Sequence, residues 1–296
     1  MKTELEKINC GKVLENCSLK QYTTYRAGGI ADYIVFPESI EQLKNLMSYL
    51  KEKNIKHKVV GYGSNLLFSD DGYRGVLIKL DALHTCEFYG TKVVVGAGYP
   101  LMKLAIKAAK LGLTGLEFAA GIPGTIGGTI YMNAGAYKSD MGYIVSEIKV
   151  LTPELTVKTM YNRELEFHYR TSFLQTHPGY ICLEATLILT KGTEAAIRSV
   201  MEDRKKRRLM TQPLEYPSAG SVFRNPEGIA AGKLIEDCGL KGMRIGGAEV
   251  SRKHANFIIN VDHANANDIR KLILTVQDTV WKKKKIKLKC EQEFVD

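Results

Sequence analysis

No apolar run in the chain approaches the ~18 residues that a membrane-spanning helix requires. The opening residues, Met1-Lys2-Thr3-Glu4-Leu5-Glu6-Lys7, are charged and lack the apolar core of a secretion signal. A cytoplasmic location is therefore expected, without a membrane partner. The six cysteines, Cys10, Cys17, Cys86, Cys182, Cys238 and Cys290, include no Cys-x-x-Cys pair. Scattered spacing of this kind disfavours both a zinc centre and a disulfide framework, and predicts reduced thiols. The six histidines are equally dispersed, with no His-x-x-x-His pair on a helix face, so no metal is expected. Internal repeats and low-complexity tracts are absent too. At 296 residues the chain is long for a single core, and two domains are expected.

What is present in excess is positive charge, at net +10. Arg204-Lys205-Lys206-Arg207-Arg208 supplies five of these charges, and Lys282, Lys283, Lys284, Lys285, Lys287 and Lys289 supply six more. Taking those eleven from the 42 basic residues leaves 31 against 32 acidic ones, so the whole excess sits in two short clusters. Solvated helix faces explain such clusters, as does attraction of an anionic small molecule. A nucleic-acid partner is not expected, because no aromatic residues interleave with the clusters to stack on bases.

Helices and strands alternate without a regular βαβ rhythm. Ser39-Ile40-Glu41-Gln42 has capping-box form, and Leu43, Leu46, Met47 and Leu50 follow at helical spacing. Strands are predicted over residues 58–60, 75–80, 92–98, 144–151, 181–189 and 257–259. Pro100 opens a helix carrying Leu101, Leu104, Ala105, Ala108 and Leu111, stopped by Gly112. A charged helix is expected over 193–209, and Asn267 is expected to cap a helix with Ile269, Leu272, Ile273, Val276 and Val280 on one face. The proline-bearing stretch 211–218 breaks both periodicities and marks a boundary. The pattern is α+β, with a first domain over 1–210 and a second over 211–296.

Three stretches carry candidate chemistry. Val59-Val60-Gly61-Tyr62-Gly63-Ser64-Asn65-Leu66-Leu67-Phe68 is a strand entering a glycine-rich turn, which serves either as a tight connection or as a pyrophosphate cradle. It is not the dinucleotide fingerprint, since Leu66 stands where a third glycine belongs, and it lacks the Gly-Lys-Ser/Thr of a P-loop. The stretch from Gly121-Ile122-Pro123-Gly124-Thr125-Ile126-Gly127-Gly128 to Asn133 and Ala136 mixes glycine with apolar residues. Such a mixture suits backbone lying against a flat apolar ligand, or a buried packing turn. Ser221, in Pro217-Ser218-Ala219-Gly220-Ser221-Val222-Phe223-Arg224-Asn225-Pro226, is not in a Gly-x-Ser-x-Gly elbow and reads alone as a turn serine.

Together with Thr24-Tyr25-Arg26-Ala27-Gly28-Gly29, Tyr169-Arg170-Thr171-Ser172-Phe173, Ala231-Gly232-Lys233-Leu234-Ile235-Glu236 and His254-Ala255-Asn256-Phe257, these stretches resemble the UDP-N-acetylenolpyruvoylglucosamine reductase family, also called UDP-N-acetylmuramate dehydrogenases. The matches span nearly the whole chain in the family's order. The distance between Arg170 and Ser221 resembles the shorter subclass, which lacks a tyrosine-bearing loop. The resemblance implies a two-part FAD-binding domain of the vanillyl-alcohol-oxidase (PCMH) type, divided near residues 80–90, followed by a C-terminal α+β substrate-binding domain.

By the same resemblance, Gly61, Tyr62, Gly63, Ser64, Asn65 and Leu66 cradle the FAD pyrophosphate, and Gly121, Pro123, Gly124, Thr125, Gly127, Gly128 and Asn133 line the flavin. Residues 61–68 contain no histidine, so FAD is expected to be non-covalent. The implied reaction uses NADPH as co-substrate, carries a hydride through flavin N5 to C3 of the enolpyruvyl group, and adds a proton to C2. Arg170 is then the carboxylate anchor, since a guanidinium grips a carboxylate at two points and stays charged. Ser221 is the proton donor, Glu291 the third catalytic residue, and Asn225, Lys233 and His254 substrate contacts. Around Glu291 the chain departs from the family: Lys289-Cys290 replaces a usual Glu-Pro, and Gln292 replaces a usual valine. Glu293, two residues on, is the alternative to Glu291. The implied partners are small molecules, with no obligate protein partner.

Overall fold

The computed structural model describes residues 1–296, and these form two compact units. The first comprises residues 1–15, 33–62 and 75–206; the second comprises 16–32, 63–74 and 207–296. This differs from the linear division expected between 210 and 211. Two short N-terminal segments join the C-terminal residues, and Tyr25, Ala27 and Leu67 are buried in one cluster with Val222, Phe223 and Ile235. Periodicity reports the type of a local element and not the core that it enters, so this exchange leaves no trace in the pattern.

In the first unit, the Ile40–Glu52 helix starts at Ser39, whose hydroxyl accepts from the Gln42 amide at 3.2 Å. Leu43, Leu46, Met47 and Leu50 form its buried face, each contributing roughly 1.5–3 kcal/mol before the entropy of ordering the chain. His57–Val59 lies parallel to Tyr73–Ile78 in a four-stranded sheet with Lys12–Ser18 and Ile30–Phe36; the latter two strands and the Lys2–Lys7 helix were not anticipated. A five-stranded antiparallel sheet runs Val157–Tyr161, Val145–Leu151, Ile181–Ile188, Lys92–Gly96, Cys86–Tyr89. Its edge strand Val157–Tyr161 buries only Met160 and carries Lys158, as an exposed sheet edge requires. The Leu101–Lys110 helix follows, with Pro100 at its N-cap and Gly112 turning the chain at φ +65. The charged helix runs over Glu194–Thr211 and buries only Ile197.

In the second unit, Leu66–Phe68 lies parallel to Glu293–Val295, and Arg244–Ile245, Ala248–Val250 and Ile258–Asn260 form a three-stranded sheet. The Ala266–Lys284 helix buries Ile269, Leu272, Ile273, Val276 and Val280, the face read from the sequence. Its cap corrects the expectation of Asn267: Asn265 accepts from the Asp268 amide at 2.7 Å, and Asp268 answers by accepting from Asn265 N at 3.3 Å. Two asparagines compete for that start, and only the one with an acid three residues on forms a capping box. Asp70 adds a second cap, accepting from the amides of Ala266 (2.8 Å) and Asn267 (2.9 Å). At the other end, Lys282 pairs with Asp278 and Lys283 donates to Cys238 O. Cations there oppose the negative end of the helix dipole, which accounts for part of the basic cluster. The architecture is α+β, all six cysteines are free thiols, and no helix is long and apolar enough to cross a membrane.

Candidate active site

In the first unit, the Gly61 turn and the 121–128 loop are held against each other by an absent side chain. A Cβ at Gly61 would lie 2.8 Å from Thr125 Oγ1, inside the closest approach that real Cβ atoms make. Thr125 is itself buried and caps the short Ile126–Tyr131 helix, accepting from the Gly128 amide. The Gly127 amide donates to Ala97 O at 2.8 Å, the Ile126 amide to Tyr99 O at 2.9 Å, and Leu101 N to Gly124 O at 3.0 Å. Gly124, Gly127 and Gly128 thus shape this loop through their own backbone bonds, and Gly121 reverses it at φ +103. Beneath the turn, the buried Lys79 donates to Gly61 O at 2.6 Å and pairs with Asp81 at 3.4 Å. Burial holds the Lys79 ammonium below the usual lysine range. Nothing in the sequence around Lys79 signalled this position.

Asn133 is buried, with Nδ2 donating to His168 O and Oδ1 accepting from Gly142 N, both at 2.9 Å. Its carboxamide ties the Ile126–Tyr131 segment to the turn carrying Arg170. That turn closes by reciprocal bonds between His168 and Thr171, and Arg170 sits at its apex in the left-handed region, φ 56. Ser172 Oγ fastens the turn to Tyr131 O at 2.8 Å, and Gln175 Nε2 donates to Arg170 O at 3.3 Å. The half-buried guanidinium lies 5.1 Å from the Tyr169 ring centroid and donates through Nη2 to Gly135 O at 2.8 Å. Arg170 thus holds a positive φ that bulky residues seldom adopt, supported by four surrounding bonds.

In the second unit, Ser221 follows Gly220, which takes φ +71, and precedes the buried Val222 and Phe223. Asn256, 4% exposed, holds this segment: Val222 N donates to its backbone carbonyl at 2.9 Å, Phe223 N to Oδ1 at 3.0 Å, and Nδ2 to Phe223 O at 2.8 Å. On its other side, Glu291 N donates to Val222 O at 2.8 Å and Arg224 N to Lys289 O at 2.9 Å. Ser221 and Glu291 therefore share one hydrogen-bonded frame. Glu293 is bonded elsewhere, its amide donating to Asn65 O at 2.9 Å beside Leu66. Asn65 Nδ2 also donates to Glu291 O at 3.0 Å, tying the Gly63–Leu66 turn to the same frame. A Cβ at Gly63 would meet Tyr22 O at 2.3 Å, a clash that requires glycine, and φ +63 there favours it too. Cys290 has its thiol pushed up to about 11 by burial, so it is a neutral donor to backbone carbonyls and not a nucleophile.

The three expected substrate contacts each engage the second unit's own groups. Asn225 Oδ1 accepts from Ala231 N at 3.0 Å, and Lys233 pairs with Asp237 at 2.6 Å along an exposed helix face. His254 Nδ1 accepts from Asn256 N at 3.2 Å, and burial lowers its pKa, favouring the neutral ring.

The close-packed Gly61 turn, with the buried Lys79 beneath it, suits a pyrophosphate-bearing cofactor, and residues 31–160 match the FAD binding domain family. The chain is a flavin-dependent oxidoreductase. Residues 212–295 match the C-terminal domain of UDP-N-acetylenolpyruvoylglucosamine reductase. The reductase of Halalkalibacterium halodurans is 47% identical over 98% of this chain and 97% of its own. That of Bacillus subtilis is 45% identical over 99% and 97%. The crystal structure of the Thermus caldophilus reductase superposes with a TM-score of 0.83, at 35% identity over 96% of this chain and 98% of that one. The chain belongs to the UDP-N-acetylenolpyruvoylglucosamine reductase family.

Proposed function

We propose that this chain reduces UDP-N-acetylglucosamine enolpyruvate to UDP-N-acetylmuramate in the cytoplasm, using NADPH and non-covalent FAD, as a step of peptidoglycan precursor synthesis. The observation that carries the mechanistic reading is the common backbone frame of Ser221 and Glu291. In this reading residues 1–210 serve the cofactor and 211–296 the sugar nucleotide. Residues 61–66 would hold the pyrophosphate, with the 121–128 loop and Asn133 shaping the flavin's surroundings. When bound, FAD supplies the two-electron chemistry, accepting a hydride from NADPH and delivering it to C3 of the enolpyruvyl group.

The protein's own residues manage the charge that follows. Negative charge grows on C2 and the attached carboxylate, and a fixed guanidinium stabilises it most where no reorganisation is needed. The strained, fully braced turn at Arg170 meets that requirement. Ser221 gives its proton to C2, and Glu291 assists that transfer from the adjoining segment of the frame. Asn225, Lys233 and His254 line the sugar-nucleotide site, beyond their bonds within the unit. The reaction needs no nucleic acid, membrane or protein partner.

The test is anaerobic. NADPH bleaches the flavin, and the UDP-enolpyruvyl sugar restores its colour. Restoration by oxygen alone, with the sugar inert, overturns the substrate assignment. Ser221→Ala leaves bleaching by NADPH intact and slows restoration by about 10²–10⁴-fold; equal loss of both phases refutes the donor role.

A further inference from the structure

The segment bearing Glu291 continues into a second device aimed at Ser221. Gln292 is 4% exposed, and its carboxamide makes three hydrogen bonds. Nε2 donates to Ala219 O at 3.0 Å and to Gly220 O at 3.4 Å, the two carbonyls immediately before Ser221. Oε1 accepts from Tyr25 Oη at 2.9 Å. Tyr25 is an immobile donor: its ring is fully buried, and its own carbonyl accepts from Asn260 Nδ2 at 3.0 Å. Asn260 in turn accepts from Ala264 N at 2.7 Å, so the chain of bonds ends in backbone.

Gly220 explains why such a clamp is required. It takes φ +71, and no atom stands within 4 Å of where its Cβ would be. Gly220 therefore has no side chain of its own to hold the turn that carries Ser221, which is fixed by its bonds and by its buried neighbours Ala219 and Val222. Past the serine, Asn256 and the Glu291 amide pin Val222 and Phe223. Before the serine, Gln292 donates to the carbonyls of Ala219 and Gly220. Because Gln292 follows Glu291 directly, any shift of the 291–292 segment moves the carboxyl group and the serine turn together.

We propose that Gln292, braced by Tyr25, is a positioning pair that fixes the Ser221 hydroxyl relative to Glu291 during proton delivery. The proposal rests on the reading of Ser221 as proton donor. Neither residue touches substrate; both act through the 219–220 backbone.

The holoenzyme tests it with Gln292→Ala, which removes the clamp, and Tyr25→Phe, which removes one hydroxyl and keeps the ring's shape. Sugar-dependent reoxidation should slow about 10–100-fold in the first, the size of loss that a misplacement near 1 Å produces. A loss of about 3–10-fold is expected in the second, since it removes one of three hydrogen bonds. Flavin reduction by NADPH and calorimetric affinity for UDP-N-acetylmuramate should stay at wild-type values, and the solvent isotope effect on reoxidation should rise. Amides 219–222 should exchange faster with solvent, while those of the Ala266–Lys284 helix should not. Adding Gln292→Ala to Ser221→Ala should cost nothing further, because the two act as a unit.

Wild-type reoxidation in both clamp variants, beside a slow Ser221→Ala, overturns the positioning role and leaves the donor role standing. A lower melting temperature with both half-reactions slowed alike also overturns it, as a merely structural pair. Wild-type reoxidation by Ser221→Ala removes the donor reading itself. If Gln292→Ala does not fold, Tyr25→Phe decides alone by the same isotope-effect and exchange readouts.

Discussion

Removing the Asn256 carboxamide should unfold the second unit more readily than any surface change in it. The side chain satisfies both backbone groups of Phe223, a residue 2% exposed, through bonds of 3.0 and 2.8 Å. In Asn256→Ala the N–H and C=O of Phe223 lose these partners where water does not reach. Stranding one buried backbone group costs about 1–3 kcal/mol, so two cost about 2–6 kcal/mol. Urea unfolding measures this directly, because the chain's single tryptophan, Trp281, lies in the same unit on the Ala266–Lys284 helix. Asn256→Asp sharpens the test. It keeps the acceptor for Phe223 N but turns a charged oxygen toward Phe223 O. Its loss should match or exceed that of the alanine at pH 8 and shrink toward pH 5, where the protonated acid regains a donor. A loss below about 1 kcal/mol for Asn256→Ala, or a pH-independent Asn256→Asp, would refute the accounting.

Three further outcomes are expected. Gly63→Ala places a Cβ 2.3 Å from Tyr22 O at φ +63, and should yield protein that loses its yellow colour on desalting; Gly220→Ala, at φ +71 with open space, should keep flavin and cost only about 1–2 kcal/mol. Burial lowers the His254 pKa in the fold, so its contribution to stability is present above the ordinary histidine value of 6.5 and declines as pH falls below it. Urea unfolding should show a shallower decline between pH 6.5 and 5 in His254→Gln; an unchanged slope would reject the assignment. Glu291→Gln should impair sugar reduction far more than Glu293→Gln, since only Glu291 is bonded to the Ser221 segment, and the reverse order would transfer the role to Glu293.

Much of the fold was legible because its signals are local. Ser39 starts a helix, Leu43, Leu46, Met47 and Leu50 lie on its buried face, and Gly112 ends another, each from spacing of a few residues. The start of the last helix was misread by two residues because Asn265 and Asn267 both suit a cap, and the choice was made by Asp268 answering Asn265 and by Asp70 approaching from far along the chain. At the site, the glycine loops were visible as loops. Their individual glycines were not separable: Gly61 and Gly63 permit close backbone approach, while Gly128 closes a bond within its own loop and Gly127 ties that loop to Ala97.

Residue identity and near-neighbour spacing suffice for many of the element types, for the family, and for naming the side chains that are candidates for the reaction. The folded chain adds that residues 16–32 and 63–74 belong with the C-terminal unit, that Lys79 lies beneath Gly61, and that Gln292 reaches from Tyr25 to the turn before Ser221. Each of these is a bond or a burial between residues distant in the chain. A hydrogen bond of 2.9 Å between positions 267 residues apart, as between Tyr25 and Gln292, is set by how cores assemble and has no periodicity to betray it.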